Sequence, residues 1–153
     1  MIYKHILVTT DLSDDSTAAF EHAAYQAKFD GSRITLLTVV SDWQVPTSLY
    51  PYMAGPERIE EYRTYLADEA KKQLEKYRGR FHGQQITPAV VLSTRPVAQE
   101  ITDFAVKNSC DLIVMSSRGH GALGVLFLGS TLQAVLKLSD CPVLVIPPPK
   151  KRE

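Results

Sequence analysis

The chain has 153 residues, 44% of them hydrophobic and 22% charged, an ordinary globular composition for one domain that excludes disorder and collagen-like structure. Seventeen Lys and Arg balance seventeen Asp and Glu, so there is no global basic field to hold nucleic acid or an anionic membrane, and any bound anion must be held locally. No window of about 18 apolar residues predicts a membrane-spanning helix, and Met1-Ile2-Tyr3-Lys4 begins without the pattern of a signal peptide, so a cytoplasmic protein is expected.

Short apolar runs alternate with segments of helical period. The first run, residues 5–9, ends at Thr10-Asp11-Leu12-Ser13, where Ser13 is placed to cap a helix whose first turn holds Asp14 and Asp15. That helix carries Phe20, Ala23, Ala24 and Ala27 on one face and stops at Gly31, a residue suited to the left-handed conformation. Residues 34–40 read as a strand buried on both faces. Pro46, Pro51 and Pro56, with Trp43, Tyr50 and Tyr52, predict an irregular, packed loop over 41–56. From 57 to 80, Ile59, Tyr62, Leu66, Ala70, Leu74 and Tyr77 recur at spacings of three and four, the mark of the longest helix. A strand over 86–92 leads to Pro96, expected at the first position of a helix bearing Val97, Ile101, Phe104 and Ala105. Residues 112–115 form the fourth strand. A helix over 130–138 follows with Leu132, Val135 and Leu136 inward, then a last strand over 143–146 stopped by three prolines. Five strands and four helices in strict alternation predict an open parallel α/β sheet with helices on both faces, whose ligands bind beyond the carboxyl ends of the strands.

The glycine-rich loop admits two parsings. Gly119-His120-Gly121-Ala122-Leu123-Gly124 matches GxGxxG, but Asp140, the nearest acidic candidate, precedes the final strand, and a single strand after the loop leaves no second nucleotide half-domain. The alternative takes Gly119, nine residues, then Gly129-Ser130 at a helix start. Glycines let main-chain amides approach a polyphosphate, Ser130 adds a hydroxyl at a helix N-terminus, and Arg118 and His120 supply donors. A tight surface loop without a ligand satisfies the same spacing.

Ile6-Leu7-Val8 before Thr9-Thr10-Asp11, Leu36-Leu37-Thr38-Val39, Asp111-Leu112-Ile113-Val114-Met115, the loop to Gly129-Ser130 and Cys141-Pro142-Val143-Leu144-Val145 together resemble the universal stress protein family over nearly the whole chain. The resemblance implies a Rossmann-like, adenine nucleotide alpha hydrolase-like fold with strand order 3-2-1-4-5, forming one domain over 1–153 with a tail at 147–153. The ATP-binding branch carries Gly, two residues, Gly, nine residues, then Gly and Ser or Thr; here the first glycine is replaced by Ser116. If that position needs positive φ, serine costs on the order of 1 kcal/mol; if the backbone is extended it costs almost nothing.

Carried over position by position, the resemblance implies that Asp11 accepts from the ribose hydroxyls, that Thr9 and Thr10 line base and ribose, and that Val39 offers main-chain groups to adenine. Met115, Ser116, Arg118, Gly119, Gly129, Ser130 and Thr131 surround ribose and phosphates. The implied ligand is ATP with Mg²⁺, or AMP or ADP, in a stress-response regulator acting on unidentified protein clients. A nucleotide-free dimeric scaffold and a slow ATPase are the alternatives; no acidic residue lies between Met115 and Ser139 to serve as base on the phosphate side. The final strand, Val143–Ile146, is expected at a sheet edge, where the resemblance implies antiparallel pairing in a homodimer. The cluster Lys71, Lys72, Lys76, Arg78 and Arg80 reads as complement to a helix dipole rather than a nucleic-acid patch. Cys110 and Cys141 precede neighbouring strands, close enough to pair, although two reduced thiols fit a reducing compartment better. Neither they nor His5, His22, His82 and His120 show metal-ligand spacing, so no structural metal is expected.

Overall fold

A computed structural model describes residues 2–41, 47–52, 55–117 and 128–148. Its strands are β1 (His5–Thr9), β2 (Arg33–Ser41), β3 (Ile86–Ser93), β4 (Leu112–Ser116) and β5 (Val143–Ile146), and its helices are α1 (Ala18–Asp30), α2 (Pro56–Lys76), α3 (Val97–Lys107) and α4 (Ser130–Leu138). All pairings are parallel and the sheet order is 3-2-1-4-5, so β1 sits centrally between β2 and β4.

Side chains alternate across a strand, and here both faces are apolar. Val8 is in register with Leu36 on one side and Val114 on the other, and this row points into a core completed by Phe20, Ala23 and Ala27 of α1 and Leu74 of α2. Leu7, Leu37 and Ile113 point the opposite way, against Ala98, Ile101 and Ala105 of α3 and Leu132 and Val135 of α4. Each buried Val, Leu, Ile or Phe side chain contributes about 1.5–3 kcal/mol by leaving water, each alanine less. Phe20 stacks on Phe81 with ring centroids 4.9 Å apart and meets the edge of Tyr77 at 5.1 Å, fastening α1 to the segment after α2.

The element ends depart from the sequence reading in instructive ways. Ser13 does not cap α1. Residues 15–17 form a 3-10 turn, Ser13 Oγ accepts the Ser16 amide at 3.3 Å, and α1 begins at Ala18. Gly31 closes α1 at φ 69°, as its position predicts. Within 41–56, Thr47–Tyr52 forms a short 3-10 helix with Tyr52 exposed, while Trp43 lies outside the described residues. Helix α2 stops at Lys76, short of 80, and a 3-10 turn, Arg78–Phe81, then buries Phe81. Ile59 is exposed rather than inward. The buried residues of α2, Ala70 and Leu74, both lie in its second half, so its first turns bury little. Pro96 takes the cap position, not the first helical one, and its carbonyl accepts the Gln99 and Glu100 amides at 3.0 and 3.2 Å. Leu136 is exposed because Leu132 and Val135 already define the inward stripe of α4. Edge strand β3 carries Pro88 opposite Leu36, a placement that costs little where a strand has one neighbour.

At the amino-terminal end of the sheet, the Asp111 carboxylate accepts the backbone amides of Lys4 and His5 at 2.9 and 3.0 Å, joining β1 to β4. The His5 ring is buried. Its Nδ1 lies 3.0 Å from the Asn108 carbonyl, which only accepts, so Nδ1 carries the proton and Nε2 accepts the Thr35 hydroxyl at 2.8 Å. Cys110 and Cys141 are both free thiols packed against the α3–α4 core.

Candidate functional site

In an open parallel sheet the connections from neighbouring strands diverge where the strand order reverses, and a crevice opens there. Here the reversal lies between β1 and β4, and a crevice of about 350 Å³ opens beyond their carboxyl ends. That is within the range of about 300–1,000 Å³ usual for small-ligand sites. Nine residues singled out from the sequence line it together: Thr9, Thr10, Asp11, Val39, Met115, Ser116, Gly129, Ser130 and Thr131. Arg118 and Gly119 lie outside the described residues, as does His120.

The first wall is the turn from β1 into α1, built almost wholly by hydroxyls. The Thr10 amide donates to the Leu37 carbonyl at 2.9 Å, anchoring the turn to β2. Thr10 Oγ1 accepts the Leu12 amide at 3.0 Å and lies 2.6 Å from Ser16 Oγ, which donates to the Ser13 carbonyl at 2.7 Å. With the Ser16 proton so placed, the Thr10 hydroxyl donates to Ser16. These bonds hold Leu12 at φ 66°, a left-handed conformation that a bulky residue adopts at a cost of about 1–2 kcal/mol. The Tyr77 hydroxyl secures the same residue from outside, donating to the Leu12 carbonyl at 3.1 Å. Strain of this kind persists where the surroundings over-determine it, and here it lies next to Asp11. The exposed Asp11 carboxylate accepts from the Ser13 amide at 3.0 Å and from the Ser13 hydroxyl.

The opposite wall is the end of β4 and the start of α4. The Ser117 amide donates to the Ile146 carbonyl at 2.8 Å, and the Ser117 carbonyl accepts the Gly129 amide at 3.3 Å. Helix α4 therefore starts beside the strand that feeds it. Among the described residues no side chain caps it, and its first-turn amides at Ser130 to Leu132 are of the kind that attract anions. Gly129 has φ −55° and ψ 148°, which any residue adopts, and a Cβ there would make only an ordinary 3.8 Å contact with the Ser117 carbonyl. Nothing among the described residues requires glycine at this position.

Ser116 ends β4, in register with Ile146, and is not among the residues with positive φ. Serine replaces the motif's first glycine here without left-handed strain. Its hydroxyl donates to the Asp15 carbonyl at 2.9 Å.

The floor is apolar. Leu37, Val39 and Met115 from the sheet face Val97 and Ile101 of α3 and Leu132 of α4, giving a flat aromatic ligand a dry surface. The sequence reading missed the α3 contribution. The signal was the α3 apolar stripe itself, whose first turn lies beside the carboxyl ends of the strands. Ser16 and Ser117 were also passed over, since short hydroxyl residues beside a turn do not announce which way they face. Of the described lining residues, Asp11 alone is charged.

A parallel sheet with this order and a hydroxyl-lined crevice at its reversal defines a doubly wound α/β protein. The universal stress protein family model matches residues 2–147, and the chain belongs to that family. It is 34% identical to universal stress protein MJ0531 of Methanocaldococcus jannaschii, an alignment covering 98% of this chain and 85% of that one. The solved structure of MJ0577, from the same organism, superposes with a TM-score of 0.78 at 27% identity, covering 99% of this chain and all of the other. A universal stress protein of Archaeoglobus fulgidus, solved in complex with dAMP, superposes at 0.66 with 20% identity, covering 95% of this chain and 99% of the other, a likeness of fold.

Proposed function

We propose that this protein is an adenine-nucleotide-binding regulator that takes ATP with Mg²⁺, AMP and ADP being the nearest alternatives. One observation carries the reading: a single crevice joins a carboxylate at a strand end, an apolar floor and a helix N-terminus that no described side chain caps, the parts needed for ribose, base and phosphate. Asp11 accepts from the ribose hydroxyls. Thr9 and Thr10 flank base and ribose, and Val39 offers main-chain groups to the adenine edge. Met115, Ser116, Gly129, Ser130 and Thr131 enclose ribose and phosphates, joined by Arg118 and Gly119. A glycine at 129 that none of the described residues needs is accounted for by a ligand lying against it. The relative that was solved with dAMP supports a nucleotide of this class. With Asp11 on the ribose side, Mg²⁺ is held chiefly by phosphate oxygens and water, consistent with its reluctance to dehydrate.

In this reading the protein is one cytoplasmic domain, dimeric through β5, whose nucleotide state alters its contacts with client proteins. Hydrolysis is at most slow, because a carboxylate on the ribose side is poorly placed to activate water at the terminal phosphate. A nucleotide-free dimeric scaffold is the second reading, favoured by the exposed leucines Leu136, Leu138 and Leu144 on α4 and β5. Calorimetric titration of nucleotide-stripped protein with ATP·Mg²⁺ separates the two. Saturable micromolar binding, abolished in Gly129→Glu, supports the regulator; no heat at millimolar ATP leaves the scaffold.

A further inference from the structure

We propose that Ser116 is a positioning residue, its hydroxyl latching the end of β4 to the turn that carries Asp11 and so fixing that carboxylate for the ligand. The inference rests on the nucleotide reading of the crevice and adds the device that sets its geometry. A glycine at this position, as in the family's motif, has no hydroxyl with which to do the same.

The latch is one bond in a continuous path. Ser116 Oγ donates to the Asp15 carbonyl, which also accepts the Ala18 amide where the 3-10 turn passes into α1. Within that turn Ser16 is bonded to Thr10 and to Ser13, and Ser13 in turn donates to Asp11 through both its amide and its hydroxyl. The adjacent residue, Ser117, is bonded to the first residue before α4. Two consecutive serines therefore link the turn on one side of the crevice to the anion-attracting helix start on the other. The turn needs such fastening because Leu12 stands at φ 66°, a conformation a bulky residue leaves when its restraints are removed.

A positioning residue acts through the group it positions, and this gives the test. In Ser116→Ala the amides of residues 13–18 should exchange with deuterium about three- to tenfold faster, the range set by one neutral hydrogen bond. Affinity for ATP·Mg²⁺ should fall by about the same factor. In an Asp11→Ala background the substitution should cost clearly less affinity than in the unaltered protein, because the carboxylate it aims is gone and only the place of Ser116 in the crevice lining is left to lose. Ser116→Thr keeps the hydroxyl on a strand residue and should restore both readouts. Unchanged exchange in Ser116→Ala, or an affinity loss of the same size with and without Asp11, would overturn the latch. Absence of ATP binding by the unaltered protein would instead overturn the nucleotide reading, and the exchange rates would still decide whether the latch exists.

Discussion

The Gly129 amide lies 3.3 Å from the Ser117 carbonyl, so the chain that leaves β4 is tied back to its point of departure before α4 begins. With φ −55° at Gly129, the tie does not depend on glycine. Gly129→Ala should keep the fold and raise its stability by up to about 1 kcal/mol, by restricting the unfolded chain at a position whose geometry alanine accepts. Its nucleotide affinity should nevertheless fall, because Gly129 lines the crevice. A melting temperature that drops in step with affinity would show the glycine to be structural.

Gly31 provides the contrast. At φ 69° it closes α1, and its amide region turns the chain into β2. Gly31→Ala should cost about 1–2 kcal/mol, read as a lower urea midpoint at unchanged slope, because a Cβ strains the left-handed conformation even where space is open.

Burial holds the His5 imidazole below its ordinary pKa, as does Arg33, while the Asn108 carbonyl and the Asp111 carboxylate pull the other way. The folded state thus prefers the neutral ring, and the unfolded state binds the proton first as pH falls. The stability this contributes is fully present above about pH 6.5 and declines as pH drops through that value toward the lower folded pKa. Urea midpoints measured at several values from pH 7.5 to 5 should show this decline, and His5→Gln should flatten it. An equally steep decline in that variant would place the titration elsewhere.

Burial, reinforced by the proximity of Cys141, pushes the Cys110 thiol up to about 11. Thiolate is the reactive form, so Cys110 should be inert to a disulfide reagent at neutral pH in the native protein while half-buried Cys141 reacts. Thiol counting should find one fast group natively and two in denaturant. Rapid titration of both under native conditions would mean that the α3–α4 core opens around them.

Leu144 is 37% exposed on edge strand β5, whereas Ile146 on the same face is buried. If β5 pairs with its twin, Leu144→Glu places two like charges in the seam, and sedimentation should shift from dimer to monomer without loss of the helical signal. A monomeric unaltered protein at micromolar concentration would remove the dimer.

How much of this was legible beforehand depends on the range of the interaction that decides each feature. Runs such as Ile6-Leu7-Val8 and Leu112-Ile113-Val114 declare buried strands by composition, and the five strands of the fold were placed within a residue or so of their observed ends. Gly31 declares a helix end through its own conformational freedom. The residues around the crevice were legible by resemblance and by strand ends, and nine of them do line one space. What stayed hidden was decided by contacts between distant segments. Leucine carries no local signal for φ 66°, because the Tyr77 hydroxyl that helps hold Leu12 there is 65 positions away in sequence. Ser116 likewise shows its effect only once Asp15, 101 positions earlier, is seen beside it. Periodicity also overstated the inward stripe of α2, since a hydrophobic repeat does not report which of its turns another element covers.

Pro88 has a consequence at the scale of assemblies. It interrupts the run of amide donors along β3, on the opposite flank of the sheet from β5. If β5 pairs with its twin, a flank made less inviting by proline disfavours the addition of further copies at β3. Association at one flank alone closes at a pair, whereas association at both would allow polymerisation into a filament.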